Sequence, residues 1–413
     1  MDKLKLALIG CGGMGTRHLY GLAELAKSPF NNVELVAVCD LSPDNAELAA
    51  SEAEKLLGKR PPIFTDMEKM VQDIPDLMAV DVVTDPSVHH TVVCQALDLG
   101  LHVLVEKPMA ISVKACQMMM NAAKRNGCKL SVAENYRRDP SSRLTRHLLD
   151  TGRIGKPYMA TLHAMRGGNE IFITPWRHLI DRGGPLIDMG VHYTDLIRYQ
   201  LGDVAEVYGD ARLVEPVRKK QKAIRDPYEF YQQRFKAMPD EVPATAEDTS
   251  MAMLRMKNGM MVSFIMGVGG HGACRSQLIL GDKGSLQSFG NRGGQAIWQP
   301  EEGEALDQAA ILESISDFAL DPLTEYFFPE MTSVGDPAVD WKLIAFEQHE
   351  LARAVLNGDP IEVDGVEGLK DVAAVYAICE SARAGRTVTM AEIESGEVYA
   401  YQAQIDEALG IES

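Results

Sequence analysis

The sequence has no uninterrupted apolar run of about 20 residues, so no segment is predicted to cross a membrane as a helix. Positive charge is scarce, because 41 Lys and Arg oppose 59 Asp and Glu and give a net charge of −18. Such a chain repels nucleic acids and acidic membrane surfaces, and we exclude both as partners. The seven cysteines show neither a Cys-x-x-Cys pair nor Cys/His ligand spacing, so no metal site is expected. No signal peptide is recognised, and we expect free thiols and a cytoplasmic location.

The composition is that of a globular protein, with 46% apolar and 24% charged residues in a chain of 413. This length predicts two or three domains. Residues 1–136 alternate short apolar strands with amphipathic helices, which is typical of a parallel sheet with helices on both faces. We therefore predict an α/β protein whose first domain, 1–136, is a doubly wound Rossmann domain.

The second domain, 137–413, is predicted to be α/β with a mainly antiparallel open sheet. Its strand pattern is densest over 204–280, where Lys257-Asn258-Gly259 is a strong hairpin signal. Helices on one side leave the other sheet face bare, so we expect that face to be buried in a homodimer or homotetramer. The polar segment 215–247 is interpreted as a lid, a subunit arm or a plain surface insertion, and 295–335 is given no role.

A glycine-rich loop, Gly10-Cys11-Gly12-Gly13-Met14-Gly15, lies between the first predicted strand and helix. Gly10 permits a tight turn, Gly12 lacks the Cβ that would block a pyrophosphate, and Gly15 allows close packing of helix on strand. The free N–H groups of the helix start attract phosphate, so we assign Gly10, Gly12, Gly13 and Met14 to a dinucleotide.

Asp40 ends the second predicted strand, where a carboxylate accepts hydrogen bonds from both ribose hydroxyls and repels a 2′-phosphate. We therefore expect NAD as cofactor rather than NADP. The alternative is that Asp40 caps the next helix, a role that Ser42 or Asp44 can also fill.

Glu106-Lys107-Pro108 follows another predicted strand of the parallel sheet. Ligands lie at the carboxyl ends of such strands, which places Lys107 near the nicotinamide. A partly desolvated lysine beside a cationic ring has a lowered pKa and is suited to proton transfer or to polarising an oxygen. The alternative is a surface lysine paired with Glu106.

Asp188, His192 and Asp195 stand at positions i, i+4 and i+7 of one predicted helix and therefore share a face. A carboxylate beside an imidazole fixes its tautomer and raises its basicity, so His192 is a candidate base for a hydroxyl proton. The alternatives are a solvated polar stripe, which the apolar flanking residues disfavour, and a metal site, for which a second ligand cluster is missing.

Other candidates lie at strand ends or just before this helix. Tyr136, Trp176 and Arg177 offer planar stacking and charge near a cofactor or sugar. His89 is interpreted as packing at a helix start and His90 as facing the cofactor. Arg166, with Arg177 and Arg182, is a candidate grip for an anionic substrate. The remaining residues assigned to the cofactor side are Thr84, Glu106 and Asn135.

Together these motifs resemble the glucose–fructose oxidoreductase / inositol dehydrogenase (Gfo/Idh/MocA) family. The residues that carry the resemblance are the loop 10–15, Asp40, Thr84-Asp85-Pro86-Ser87-x-x-His90, Glu106-Lys107-Pro108, Asn135-Tyr136-Arg137 and Asp188-x-Gly-x-His192-x-x-Asp195. Asp85 separates Thr84 from Pro86, whereas the family usually has Thr-Pro adjacent. The resemblance implies a Rossmann domain, a C-terminal α/β domain with an open interface sheet, and NAD(P)-dependent chemistry on sugars or cyclitols. By position it makes Lys107, Asp188 and His192 a catalytic triad and matches Tyr136, Trp176 and Arg177 to positions that line the cofactor and the substrate. Our own assignment of substrate contacts is Lys107, Tyr136, Arg166, Asp188 and His192.

Three functions follow from these motifs. The first is an NAD-dependent dehydrogenase acting on a ring hydroxyl of a sugar, glycoside or cyclitol. The second is a glycoside hydrolase that oxidises, eliminates, hydrates and reduces with recycled NAD. The third, a cofactor-dependent sensor or scaffold, tolerates loss of Lys107 and His192, and we disfavour it because both are present.

Overall fold

The computed structural model of this chain describes residues 3–223, 229–288 and 294–412. Strands and helices alternate through the first third, as the apolar pattern predicts. These elements are β1 (Leu4–Ile9), α1 (Gly13–Lys27), β2 (Val33–Cys39), α2 (Pro43–Leu57), β3 (Ile63–Phe64), α3 (Met67–Asp73), β4 (Ala79–Val82), α4 (His89–Asp98), β5 (His102–Glu106), α5 (Val113–Asn126) and β6 (Leu130–Ala133).

All six of these strands are parallel and lie in the order β3-β2-β1-β4-β5-β6. This is the doubly wound order. Strands β1 to β3 are added toward one edge of the sheet and β4 to β6 toward the other, so the direction of strand addition reverses between β1 and β4. The strands are buried because helices cover both faces, and this explains why they read as continuous apolar runs. The predicted Rossmann architecture is confirmed.

The rest of the chain mixes strands and helices. The elements are α6 (Pro140–Asp150), β7 (Pro157–Arg166), α7 (Gly184–Leu201), β8 (Val204–Arg212), β9 (Val217–Lys219), α8 (Glu229–Ala237), β10 (Glu241–Pro243), β11 (Thr249–Met256), β12 (Met261–Gly267), β13 (Ala273–Gly281), β14 (Gly284–Ser288), β15 (Ile297–Pro300), α9 (Gln308–Ser314), α10 (Pro322–Phe327), α11 (Val339–Asn357), α12 (Gly365–Ala384), β16 (Val388–Thr389), α13 (Met390–Ser395) and α14 (Ala403–Leu409). No helix in the described parts of the chain combines the length and apolarity needed to span a membrane.

Eight of the later strands form one sheet in the order β15-β14-β13-β7-β12-β11-β8-β16. Every pairing in it is antiparallel except that of β7 with β12. The predicted hairpin joins β11 to β12. One face of this sheet packs on helices. For example, Gly209 of β8 lies so close to α12 that a Cβ on it would be 2.8 Å from Cγ2 of Ile378. The mainly antiparallel second sheet is therefore confirmed.

The opposite face of this sheet is exposed and carries several large apolar side chains beside charged ones such as Asp210 and Arg255. Residues in β11 alternate between buried and exposed, so that Met251 and Met253 are 60% and 53% exposed. Tyr208 on β8 and Met261 on β12 are 55% and 46% exposed and belong to the same surface. We call these four side chains the open face.

The chain divides into two compact units. The first contains 1–135, 222–238 and 337–369, and the second contains 136–221, 239–336 and 370–413. The first change of unit follows Asn135, whereas the first domain was drawn from the sequence as 1–136. The two later segments of the first unit lie within the range that the sequence assigned to the second domain. Of the segment 215–247, residues 224–228 lie outside the described residues.

Helix α11 joins the first unit because α1 presents a surface that fits it. A Cβ on Gly21 of α1 would lie 2.7 Å from Cγ2 of Ile344, so only glycine permits this approach. The rings of Tyr20 and Trp341 also meet, with centroids 4.6 Å apart. The first unit is therefore assembled from parts of the chain more than 300 residues apart.

Candidate active site

The glycine loop has the conformation that its spacing predicts. Gly10 has a φ of +94°, and a Cβ there would lie 2.8 Å from the backbone of Val83, just after β4. A Cβ on Gly15 would overlap with the carbonyl oxygen of Gly10. These two glycines therefore allow the turn and the close packing of α1 on the sheet.

The start of α1 is suited to an anion. Its N-cap is Gly12, which has no side chain to satisfy the first N–H groups, and the first turn carries no acidic residue. The first N–H groups of a helix, which have no partner within the helix, and the helix dipole favour a phosphate at such a position.

Asp40 lies beside this loop at the end of β2. Its carboxylate accepts hydrogen bonds from the backbone N–H groups of Cys11 (2.7 Å) and Ser42 (2.8 Å). The N-cap of α2 is Ser42, whose Oγ accepts from the N–H of Asn45. The capping alternative for Asp40 is therefore wrong, and its carboxylate is fixed next to the glycine loop.

The carboxyl ends of β4, β5 and β6 carry several of the predicted residues. Lys107 follows β5 and is half-buried, and its peptide bond to Pro108 is cis. Thr84 Oγ1 and Asn135 Oδ1 are buried atoms for which the described residues provide no hydrogen-bond partner. Because buried polar atoms are normally paired, this edge of the sheet fits a polar ligand such as a dinucleotide.

His89 connects two of these strand ends, which sequence reasoning did not predict. Its Nδ1 lies 3.0 Å from the carbonyl oxygen of Pro108 and its Nε2 lies 3.2 Å from that of Thr84. Burial lowers the pKa of His89, which favours the neutral ring, and a neutral ring donates to only one of these two carbonyl oxygens. His90 is also buried, and its Nε2 pairs with Oγ1 of Thr91 (3.3 Å). The sequence placed His89 in packing at a helix start, which agrees with its burial at the first residue of α4, but gave no sign of its two carbonyl partners.

A third buried histidine lies near the carboxyl ends of β4 and β5. His18 of α1 donates to Asp81 of β4 (Nδ1 to Oδ2, 2.8 Å) and to Glu106 of β5 (Nε2 to Oε1, 3.2 Å). Burial lowers the pKa of His18, but the two carboxylates outweigh this effect and raise it to about 10. The imidazolium thus links α1 to β4 and β5. Glu106, which the sequence assigned to the cofactor side, is buried in this cluster.

In the second unit, His192 lies on α7 against Tyr136. The two rings are stacked, with centroids 4.1 Å apart and planes 4° apart. Both side chains are buried, and Asp188 one turn earlier is buried as well. This part of α7 is therefore packed within the fold, and the alternative of a solvated polar stripe is wrong.

The two carboxylates on the predicted face of α7 have different partners. Asp188 accepts a hydrogen bond from Nε of Arg177 (3.1 Å), whose guanidinium lies 4.4 Å from the centre of the Trp176 ring. Asp195 is fully buried; the single Nε–H of Arg137 is shared between its two carboxylate oxygens, at 2.9 and 3.0 Å, and Nη2 of Arg137 donates to Oδ1. The structure thus brings Asp188, Arg177 and Trp176 together and assigns Asp195 to a buried ion pair.

Arg166 ends β7 and is exposed, with its guanidinium 5.5 Å from the ring centre of Phe172. Arg177 is paired with Asp188, which already neutralises part of its charge. A binding site for an anionic substrate that uses both Arg166 and Arg177 stays a prediction.

A doubly wound sheet, a glycine loop before an uncapped helix and a carboxylate after the second strand define a dinucleotide-binding domain of the kind that takes NAD. The chain belongs to the Gfo/Idh/MocA family. Residues 4–134 match the model of its oxidoreductase domain with NAD-binding Rossmann fold, and residues 142–287 match that of its C-terminal domain.

Related proteins include several that are named for sugars. The levoglucosan dehydrogenase of Pseudarthrobacter phenanthrenivorans is 25% identical over 406 residues, which cover 96% of this chain and 100% of that protein. A glycosyl hydrolase family 109 protein of Akkermansia muciniphila is 33% identical over 177 residues, 40% of this chain and 35% of that protein. A solved levoglucosan dehydrogenase with NADH and L-sorbose shares the fold, with a TM-score of 0.72, 22% identity and coverage of 95% and 100%.

Proposed function

We propose that this enzyme interconverts a ring hydroxyl and a carbonyl on a sugar, glycoside or cyclitol. The observation that carries the proposal is Lys107, half-buried at the carboxyl end of β5, where a doubly wound sheet binds its ligands. The relative named levoglucosan dehydrogenase, which matches along nearly the whole chain, supports a carbohydrate as substrate.

The roles of the residues follow from their chemistry. NAD supplies the acceptor for the hydride that leaves the carbinol carbon. His192 takes the hydroxyl proton, Asp188 stabilises the resulting imidazolium, and the Lys107 ammonium stabilises the developing alkoxide. Tyr136, stacked on His192, fixes the orientation of the imidazole. Residues of the glycine loop and Asp40 hold the dinucleotide.

Turnover of a panel of sugars, glycosides and cyclitols with NAD tests this function. We expect NADH to accumulate with at least one of these polyhydroxylated rings. A complete lack of NADH formation, by a protein that binds NAD, would contradict the proposal.

A redox-neutral glycoside hydrolase is the second candidate, because the relative named glycosyl hydrolase is 33% identical over part of this chain. In that case the enzyme releases the aglycone without net NADH formation and retains its cofactor through purification. The same assay with an aryl glycoside distinguishes the two functions, since it measures aglycone and NADH separately.

We propose that Asp40 selects NAD over NADP. Asp40→Ala is expected to weaken NAD binding by about 10- to 100-fold, the loss of one or two charge-assisted hydrogen bonds, and to affect NADP binding less. Titration of each cofactor measures the two Kd values. Asp44→Ala, which removes an exposed carboxylate from the first turn of α2, is the matched control. Unchanged discrimination in Asp40→Ala would overturn the assignment.

We also propose that the open face of the second sheet is covered by a second copy of the chain. An apolar surface that includes Met251, Met253 and Tyr208 is stabilised when it is removed from water. Met251→Glu with Met253→Glu is expected to shift the protein from oligomer to monomer in light scattering. Met118→Glu, at an exposed methionine of α5, is the control and leaves the oligomer intact. A monomeric parent protein, or an oligomeric double variant, contradicts this interface.

A further inference from the structure

Helix α8 lies directly on the glycine loop within the first unit. A Cβ built on Gly13 would overlap with Cζ and Oη of Tyr231, and one built on Gly12 would lie 3.4 Å from Cζ of Phe230. The two aromatic rings therefore fill the space that the missing Cβ atoms leave open. The loop has the glycines that a pyrophosphate requires, and protein side chains lie against them.

Aromatic and cationic contacts hold the rings in this position. Phe230 and Tyr231 meet edge to face, with centroids 5.6 Å apart. The guanidinium of Arg17 lies 5.5 Å from the Tyr231 ring and pairs with Asp340 of α11 (3.2 Å). Arg234 lies 4.6 Å from the Phe230 ring. Each such contact contributes only about 0.5–1 kcal/mol at a partly exposed site, so the arrangement can be displaced.

A bound dinucleotide needs the same surface. Its pyrophosphate must approach the backbone of Gly12 and Gly13 and the first N–H groups of α1. Two groups cannot occupy that volume together. The contact of Tyr231 with Gly13 and the binding of pyrophosphate therefore exclude each other.

We propose that α8 is a gate over the cofactor site. In its closed position Phe230 and Tyr231 exclude the pyrophosphate, and NAD binds only when α8 has moved off the loop. The apparent Kd for NAD then equals the intrinsic Kd divided by the fraction of open molecules. This gate acts on cofactor binding and is independent of which carbohydrate the enzyme uses.

The first test weakens the closed state. A double variant with Phe230→Ala and Tyr231→Ala is expected to bind NAD more tightly and faster than the parent protein. If the gate is closed about nine-tenths of the time, the Kd falls by about tenfold. Gln233→Ala, an exposed position of the same helix, is the control and leaves the Kd unchanged. Weaker or unchanged NAD binding by the double variant overturns the proposal.

The second test uses the unaltered protein and does not depend on the stability of a variant. Hydrogen exchange of amides 230–237 is measured with and without saturating NAD. Opening of the gate predicts faster exchange of these amides when NAD is bound. Slower exchange identifies α8 as a lid that closes over the cofactor, and unchanged exchange shows that it does not move. Either result overturns the gate.

Discussion

Lys107→Ala and His192→Ala are each expected to lower turnover by about 10²- to 10⁴-fold, the usual contribution of a positioned acid or base. Lys107 follows β5 in the first unit, and His192 lies on α7 in the second. Neither side chain belongs to the glycine loop or to the ribose site. The Kd for NAD is therefore expected to stay within about threefold, because binding of the adenosine and pyrophosphate does not use them. Steady-state assays and NAD titrations measure the two effects separately.

Lys124→Ala is the matched control, since this lysine lies exposed in the last turn of α5 and its loss leaves turnover unchanged. Thermal unfolding of each variant distinguishes a catalytic loss from a loss of fold. Turnover at the parent level in both Lys107→Ala and His192→Ala would remove the proposed mechanism and leave the dinucleotide fold intact.

His18→Gln is expected to destabilise the first unit by about 3–5 kcal/mol, the usual effect of breaking a buried ion pair. The side chains of His18 and Asp81 are fully buried, and that of Glu106 is 8% exposed. Glutamine leaves both carboxylates in place without the cation that neutralises them. Urea unfolding near pH 6.5 measures the loss. Lys27→Gln, on the same helix, removes an exposed ion pair and is expected to cost less than about 1 kcal/mol.

The pH dependence identifies the charge of His18 as the cause. The carboxylates raise the pKa of His18 to about 10 in the folded chain, above the ordinary value of 6.5. The imidazolium therefore contributes its full stability below about pH 6.5, and this contribution decreases as the pH rises through about 10. The difference in unfolding free energy between the parent and His18→Gln is expected to shrink over that range. A difference that is small at pH 6.5, or constant to pH 10, contradicts the role given to His18.

Local patterns in the sequence are sufficient to predict most of the fold. The parallel strands are buried on both faces, so their apolar runs are visible without knowledge of their neighbours. Gly10 and Gly15 are predictable because a turn and a close packing contact require them wherever the motif occurs. The sequence offered both Asp40 and Ser42 as caps of α2. The structure shows that Ser42 is the cap.

Contacts between distant positions could not be predicted. His18 lies 63 and 88 residues from the carboxylates that hold it, and nothing in α1 indicates those partners. Asp195 has the same helical spacing as Asp188 and His192, but its pairing with Arg137 depends on how α7 packs on the turn that contains Tyr136. Periodicity assigns a residue to a face, and tertiary packing decides what that face meets. The catalytic roles of Lys107, Asp188 and His192 stay predictions.

The assembly of the first unit from three parts of the chain constrains how the protein is made. Residues 1–135 leave the ribosome early, but α11, which packs on α1 and donates a hydrogen bond from Gln348 to Asp81, begins 204 residues later, at Val339. At the usual rates of translation this delay is roughly 10–40 s. During that time the α1 surface that later receives Ile344 and Trp341 is exposed on the nascent chain. The completed nucleotide domain therefore forms late in synthesis, although its sequence is translated first.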